Sequence, residues 1–220
     1  MSGDGIEAFD PKEQKQLWAS EHEPLYNLLT QNGRVYGHTS NNIYAVDEKS
    51  GEELLHVEAS GDIEFLSIGE DGIYANINKG DDDFQLEAYE KESGNQLWNY
   101  YAEDLWNPQF TISNDTIYTV DGREFISLDS ISGEKRTIKQ FDPETGASPR
   151  SPTINKDTAF VPTSEYLNFP AIDLQSQQEI QEWDYEGAIT AWKPVVAGDL
   201  LYVSDETKLY PTTDSIDYPM

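Results

Sequence analysis

An aromatic dipeptide recurs along this chain at a nearly constant interval. Val35-Tyr36, Ile73-Tyr74, Ile117-Tyr118, Ala159-Phe160 and Leu201-Tyr202 place the aromatic residue at steps of 38, 44, 42 and 42. A chain that repeats on this beat builds one supersecondary unit several times, and each unit needs a neighbour to bury its apolar faces. Within 33–55, GRVYGHTSNNIYAVDEKSGEELL, the unit reads as strand, turn, strand, turn, strand. Val35-Tyr36 opens the first strand, and Asn41-Asn42 suits the left-handed dihedrals of a tight hairpin turn. Residues 43–46 alternate through a second strand, Ser50-Gly51 turns the chain, and 53–55 begin a third.

Other landmarks keep the same beat. The strand that follows the hairpin ends on an acidic residue at Asp10, Asp47, Glu90, Asp129 and Asp173. A turn glycine follows four residues later at Gly51, Gly94 and Gly133, with Gln14 and Gln177 in that place in the other two units. Ahead of the Tyr strand comes a strand led by proline at Pro108, Pro152 and Pro194, where proline removes no ladder hydrogen bond. Asn32-Gly33, Asp71-Gly72, Asn114-Asp115, Lys156-Asp157 and Gly198-Asp199 supply hairpin turns between apolar pairs. No stretch longer than about ten residues holds a helical period. Several short strands on a beat near 42 residues are the range of propeller blades, not of helical solenoids.

Charge narrows the partners. With 42 Asp+Glu against 14 Lys+Arg the formal net charge is -28, which repels phosphate backbones and anionic lipid. Nucleic-acid binding and membrane insertion are therefore not expected. Twelve per cent aromatic residues on a regular spacing argue for a folded domain beneath that acidic surface, not a disordered chain. Many carboxylates with few lysines resemble the proteins of halophilic archaea, and stability that rises with salt is the expectation. There is no cysteine, so disulfides, thiolate metal sites and cysteine nucleophiles are excluded. The opening MSGDGIEAFDPKEQ has no basic-then-apolar signal, which predicts a cytoplasmic place, or an extracytoplasmic one if the chain is a fragment.

The pattern Ile/Leu-Tyr-Ala-Val-Asp-x-x-x-Gly-x-x-Leu-x-Trp is carried most clearly by IYAVDEKSGEELL (43–55), LEAYEKESGNQLW (86–98) and IEAFDPKEQKQLW (6–18). FISLDSISGEKRT (125–137) and PAIDLQSQQEIQEW (170–183) carry it more weakly. It resembles the pyrroloquinoline-quinone-like (PQQ-like) β-propeller repeat. The resemblance implies an all-β propeller of four-stranded antiparallel blades with about five repeats. These form either a closed five-bladed ring or an arc of a seven- or eight-bladed one. The expected divisions of this single domain are a half-blade at 1–20, repeats near 21–60, 61–103, 104–143 and 144–186, and a half-blade at 187–220, the two half-blades pairing if the ring closes. An arc would leave open blade edges and a route to self-association. In the family the repeat tryptophan docks between neighbouring blades. Trp18 and Trp98 match it, Trp183 lies two residues late, and Leu55 and Thr137 replace it.

Enzymes with this repeat imply a bound quinone, a calcium held by carboxylate and amide oxygens, and a catalytic aspartate. None of those motifs is found here, so the expectation is a non-catalytic protein-interaction or scaffold module without PQQ or calcium, the alternative being a quinone-dependent dehydrogenase or a remnant of one. Gly80-Asp81-Asp82-Asp83 misses the alternating ligand spacing of a calcium loop and reads as a solvated turn. His22, His38 and His56 form no His-x-x-x-His pair. Trp106 and Trp192 sit two residues before Pro108 and Pro194, with Arg150 in the matching place of the fourth unit. Their ordinary role is packing between blades, and their functional one is a channel-mouth rim for a peptide or small ligand, where a protein partner would dock.

Overall fold

The repeating pattern becomes twenty-one short strands and one three-residue 3-10 turn, Pro143–Thr145, among the described residues. The computed structural model describes residues 5–20, 23–81, 83–101, 110–145, 148–163, 169–183, 194–197, 200–204 and 209–211. Neighbours in sequence pair antiparallel throughout, so every sheet is a simple meander.

Residues 1–101 with 130–133 form one compact unit. It holds a two-stranded sheet of β1 (Glu7–Asp10) and β2 (Lys15–Ala19). It also holds a four-stranded sheet of β3 (Tyr26–Gln31), β4 (Arg34–His38), β5 (Asn42–Asp47) and β6 (Glu53–Glu58). A second four-stranded sheet comprises β7 (Asp62–Ile68), β8 (Gly72–Asn78), β9 (Phe84–Glu90) and β10 (Gln96–Tyr101). Alternation along β5 and β8 sends Ile43, Ala45, Ile73, Ala75 and Ile77 into one shared core with Tyr36, Leu55, Val57 and Leu66. Each Ile, Leu or Val among them, fully buried, contributes roughly 1.5–3 kcal/mol, which no single sheet could gain alone.

Residues 102–129 with 134–220 form the other unit. One four-stranded sheet comprises β11 (Thr111–Ser113), β12 (Thr116–Asp121), β13 (Glu124–Asp129) and β14 (Lys135–Gln140). The next comprises β15 (Thr153–Asn155), β16 (Thr158–Phe160), β17 (Phe169–Asp173) and β18 (Glu179–Trp183). Strands β19 (Val195–Ala197), β20 (Leu200–Ser204) and β21 (Leu209–Pro211) make a three-stranded sheet. The closing partner expected for the half-blade of β1 and β2 falls in 187–220, most of which lies outside the described residues. The proline-led strands have a visible use here. Thr111 Oγ1 donates to the Pro152 carbonyl at 2.8 Å, and Thr153 Oγ1 repeats the contact with the Pro194 carbonyl, tying each first strand to the next.

Two details depart from the sequence reading or extend it. Asn41 and Asn42 are not in the left-handed region; Thr39 closes that turn instead, its N–H donating to the Asn42 carbonyl at 2.8 Å while its Oγ1 accepts from Asn42 N at 3.0 Å. A threonine hydroxyl satisfying the backbone removes the need for positive φ. At Asn32-Gly33 and Asn114-Asp115 both turn residues do have positive φ, as a type I′ hairpin requires. Second, the outermost strand of five sheets carries a one-residue bulge with an apolar extra residue, which is half-buried Ile138 in β14 and exposed in the other four. Leu17, Leu54, Leu97 and Ile180 occupy those four bulges and are 58, 42, 40 and 44% exposed.

Candidate functional site

The acidic turn that recurs in the sequence is a self-contained hydrogen-bonded cap. Asp47 Oδ1 accepts from Ser50 N at 2.8 Å, Ser50 Oγ at 2.9 Å and Lys49 N at 3.0 Å, while Gly51 N donates to the Asp47 carbonyl at 2.9 Å. Asp173 accepts from Ser176 N and Oγ, both at 2.6 Å, and Asp10 from Lys12 N at 2.7 Å and Glu13 N at 3.0 Å. The residue four along is left-handed in all five turns: Gln14, Gly51, Gly94, Gly133 and Gln177.

These donors hold three carboxyls below the usual aspartate range, chiefly the N–H of Glu13 for Asp10, the N–H of Ser50 for Asp47 and the hydroxyl of Ser176 for Asp173. A carboxyl depressed in the folded state stabilises it above the unfolded pKa of about 3.9, and that contribution is lost as pH falls through the lower folded value. Carbon-detected NMR should therefore place the Asp10, Asp47 and Asp173 midpoints below the ordinary aspartate value. Stability should fall as the solution is acidified below about pH 4, and Asp47→Asn should flatten that slope. Midpoints at the ordinary value would show that the caps are not held in solution.

The left-handed position is also where neighbouring sheets meet. The Trp18 indole lies against Gly51, so close that a Cβ there would stand 2.5 Å from its Cε3, and Nε1 donates to the Glu48 carbonyl at 3.0 Å. Trp98 repeats this against Gly133, with Nε1 donating to the Ser130 carbonyl at 3.0 Å. Leu55, in the tryptophan's place, packs with Val57 on Gly94. Where the turn carries Gln177 the described contact from the preceding sheet is Arg136. With its amide oxygen turned toward Arg136, Gln177 accepts from Nε and Nη2 at 3.0 Å.

Beside the Leu55–Gly94 contact, β6, the loop at Ser60 and the 94–96 turn enclose a cleft of about 360 Å³. Its floor is Glu87, 1% exposed on β9. Alternation puts Gln85, Glu87 and Tyr89 on one face of that strand. Four donors converge on the carboxylate. Gln85 Nε2 reaches it at 2.5 Å, Ser60 N at 3.4 Å, and the Ser60 and Tyr89 hydroxyls make very short contacts. Burial, reinforced by the bond to Glu87, pushes the Tyr89 hydroxyl far up, so it stays a donor at any working pH. Among the described residues Glu87 joins no ion pair. Glu58, Asn95 and Gln96 line the mouth, beside His56, which stacks on Tyr44 at 4.6 Å and shares a 2.9 Å hydrogen bond between its Nε2 and Asn42 Oδ1. The arrangement fixes the Glu87 carboxyl rigidly, and among the described residues that line the cleft there is neither a second buried carboxyl nor an activated nucleophile.

Of the residues singled out in the sequence, Trp106 and Trp192 lie outside the described residues, as does the side chain of Trp183. Arg150 is half-buried, its N–H donating to the Pro162 carbonyl at 2.7 Å. His22 and Asp82 are also outside the described set. Asp81 and Asp83 belong to the β8–β9 turn, which is closed by Asp83 N donating to the Gly80 carbonyl at 3.0 Å. His38 is buried, its Nδ1 2.7 Å from the Thr39 carbonyl oxygen, and desolvation lowers its pKa. Among the described residues no group of three or more His, Asp or Glu is placed to hold a metal ion. The Glu87 cleft was missed by the sequence reading, although Gln85 and Glu87 alternating with Leu86 and Ala88 were a visible sign of a polar face.

A family model described as outer membrane protein assembly factor BamB, built on the PQQ-like repeat, matches residues 2–214. The chain belongs to this family. Comparison with curated protein sequences gives no match. Among solved structures the chain is similar to BamB from Moraxella catarrhalis, with a TM-score of 0.62 at 15% identity over 92% of this chain. It spans 64% of that protein's length. It is also similar to a computationally designed protein, Ika8, with a TM-score of 0.52 at 10% identity over 98% of this chain and 80% of the other. At these identities the likeness establishes fold, and the repeat family's all-β propeller of four-stranded antiparallel blades is the fold of this chain.

Proposed function

We propose that this PQQ-like propeller chain is a non-catalytic protein-interaction or scaffold module adapted to high salt. The observation that carries the reading is the set of outer-strand bulges at Leu17, Leu54, Leu97 and Ile180. Each presents an apolar side chain that the fold leaves at least 40% exposed at the same repeat position. Apolar residues recurring on an otherwise acidic perimeter suit contact with another protein, and the family's description as an assembly factor supports such a role. Arg150, with Trp106 and Trp192 by their matching places in the sequence repeat, is the second proposed contact set. The charge of -28 supports the salt adaptation through self-repulsion that counter-ions relieve.

The test has two arms. Adding quinone and calcium is expected to produce neither a new visible absorbance band nor dye reduction; substrate-dependent reduction would establish the dehydrogenase alternative instead. Raising KCl from about 0.01 M to the molar range, where the screening length falls from roughly 30 Å to 3 Å, is expected to raise the melting temperature. A melting temperature indifferent to KCl would remove the salt adaptation.

A further inference from the structure

We propose that the cleft over Glu87 receives an arginine side chain presented by a protein partner. Glu87 is a buried carboxylate whose four described donors are all neutral: an amide N–H, a carboxamide and two hydroxyls. Neutral donors satisfy its lone pairs but leave its charge uncompensated, and a charge taken out of water is stabilised most by an opposite charge brought into the same low-dielectric surroundings. The cleft above it is open and of the volume that takes a side chain with part of its backbone. Glu58 adds a second negative group at the mouth, and the Asn95 and Gln96 carboxamides add acceptors.

The occupant is a cation and not an anion or an apolar group, because both ionisable carboxyls of the cleft carry the same sign. Arginine suits it better than lysine for two reasons. The lone pairs of Glu87 are already filled, so the incoming group gains from charge more than from a new bond to that carboxylate, and the weakly hydrated guanidinium sheds water more readily than an ammonium. Its five N–H groups then match the Glu58, Asn95 and Gln96 oxygens, while its plane lies against the exposed His56 ring. Long-range attraction by the acidic chain steers such a partner toward the cleft.

This deepens the interaction-module reading and rests on it, yet the two fail separately. Quinone-dependent turnover would overturn the module and leave the cleft's binding as measured. A negative result below would overturn only the cleft. The experiment titrates the ¹⁵N-labelled chain with N-acetyl-arginine amide, with the lysine and citrulline analogues alongside, and then with Gly-Arg-Gly. Saturable shifts confined to Ser60, Tyr89, Asn95 and Gln96 are expected, with a dissociation constant on the order of millimolar, as befits one side chain. The peptide should bind at least as well as the capped amino acid, lysine a few-fold weaker, and neutral citrulline about tenfold weaker or less. Glu58→Gln should weaken arginine binding several-fold and Glu87→Gln about tenfold, with unchanged far-UV spectra. If Glu87→Gln does not fold, the Glu58→Gln variant and the citrulline comparison still decide. Citrulline binding as well as arginine, or shifts spread over the acidic surface without saturation, would overturn the proposal.

Discussion

Gly51→Ala is expected to destabilise the first unit by about 3 kcal/mol, and the steric part of that cost should vanish when Trp18 is also removed. Two effects combine at this position. Gly51 sits at φ +73, where a side chain costs roughly 1–2 kcal/mol. An added Cβ would also stand 2.5 Å from the Trp18 ring, an overlap of the kind that costs about 1–3 kcal/mol when a packed contact is forced apart. Trp18→Ala alone loses the indole's packing and its bond to the Glu48 carbonyl, roughly 2–3 kcal/mol for a half-buried tryptophan. In the double variant only the backbone strain at position 51 remains to be added, so the two changes should couple by at least about 1 kcal/mol. Urea denaturation of the four proteins measures the coupling, and Gly51→Ala alone should lower the melting temperature by roughly 6–12 °C. Strict additivity would mean that the indole is not seated on this turn.

Glu87→Ala is the second large effect. It strands the buried Tyr89 hydroxyl, which costs roughly 1–3 kcal/mol without an acceptor, and it takes one acceptor from Gln85, whose Nε2 keeps Ser60 Oγ at 2.8 Å, and from the exposed Ser60. The cavity left by the side chain adds to this and release of the buried charge offsets part of it, for a net loss of about 2–3 kcal/mol. Tyr89→Phe deletes one donor and keeps the ring in the apolar core, so it should cost less, on the order of 1.5–2 kcal/mol. The order of the two variants in urea is the readout. A Glu87→Ala protein as stable as its parent would show that water from the cleft takes over those donors and that the network does not tie the Ser60 loop to β9.

The repeat could be read from the chain because its signals are local. A β-strand alternates with period two, a left-handed turn position excludes most side chains, and an acidic residue caps the N–H groups just after it. Such features need no knowledge of what lies across the molecule. Five of them on one beat specify strand order, sheet type and the plug position of Trp18 and Trp98. The exchange at Asn41-Asn42 shows the limit of that logic: two asparagines permit a left-handed turn but do not demand it, and Thr39 offered the backbone a cheaper closure.

What tertiary structure alone decided is which side chains from different repeats share a space. Ser60 lies 27 residues from Glu87, and Trp18 reaches the carbonyl of Glu48 across 30. No periodicity encodes such distances, because they depend on how one sheet's face is set against the next. Glu87 looked like one more member of an acidic surface by composition. Packing of β9 against the Ser60 loop turned it into a buried charge at the floor of a cleft, and charge in a low-dielectric setting is what gives a site its chemistry.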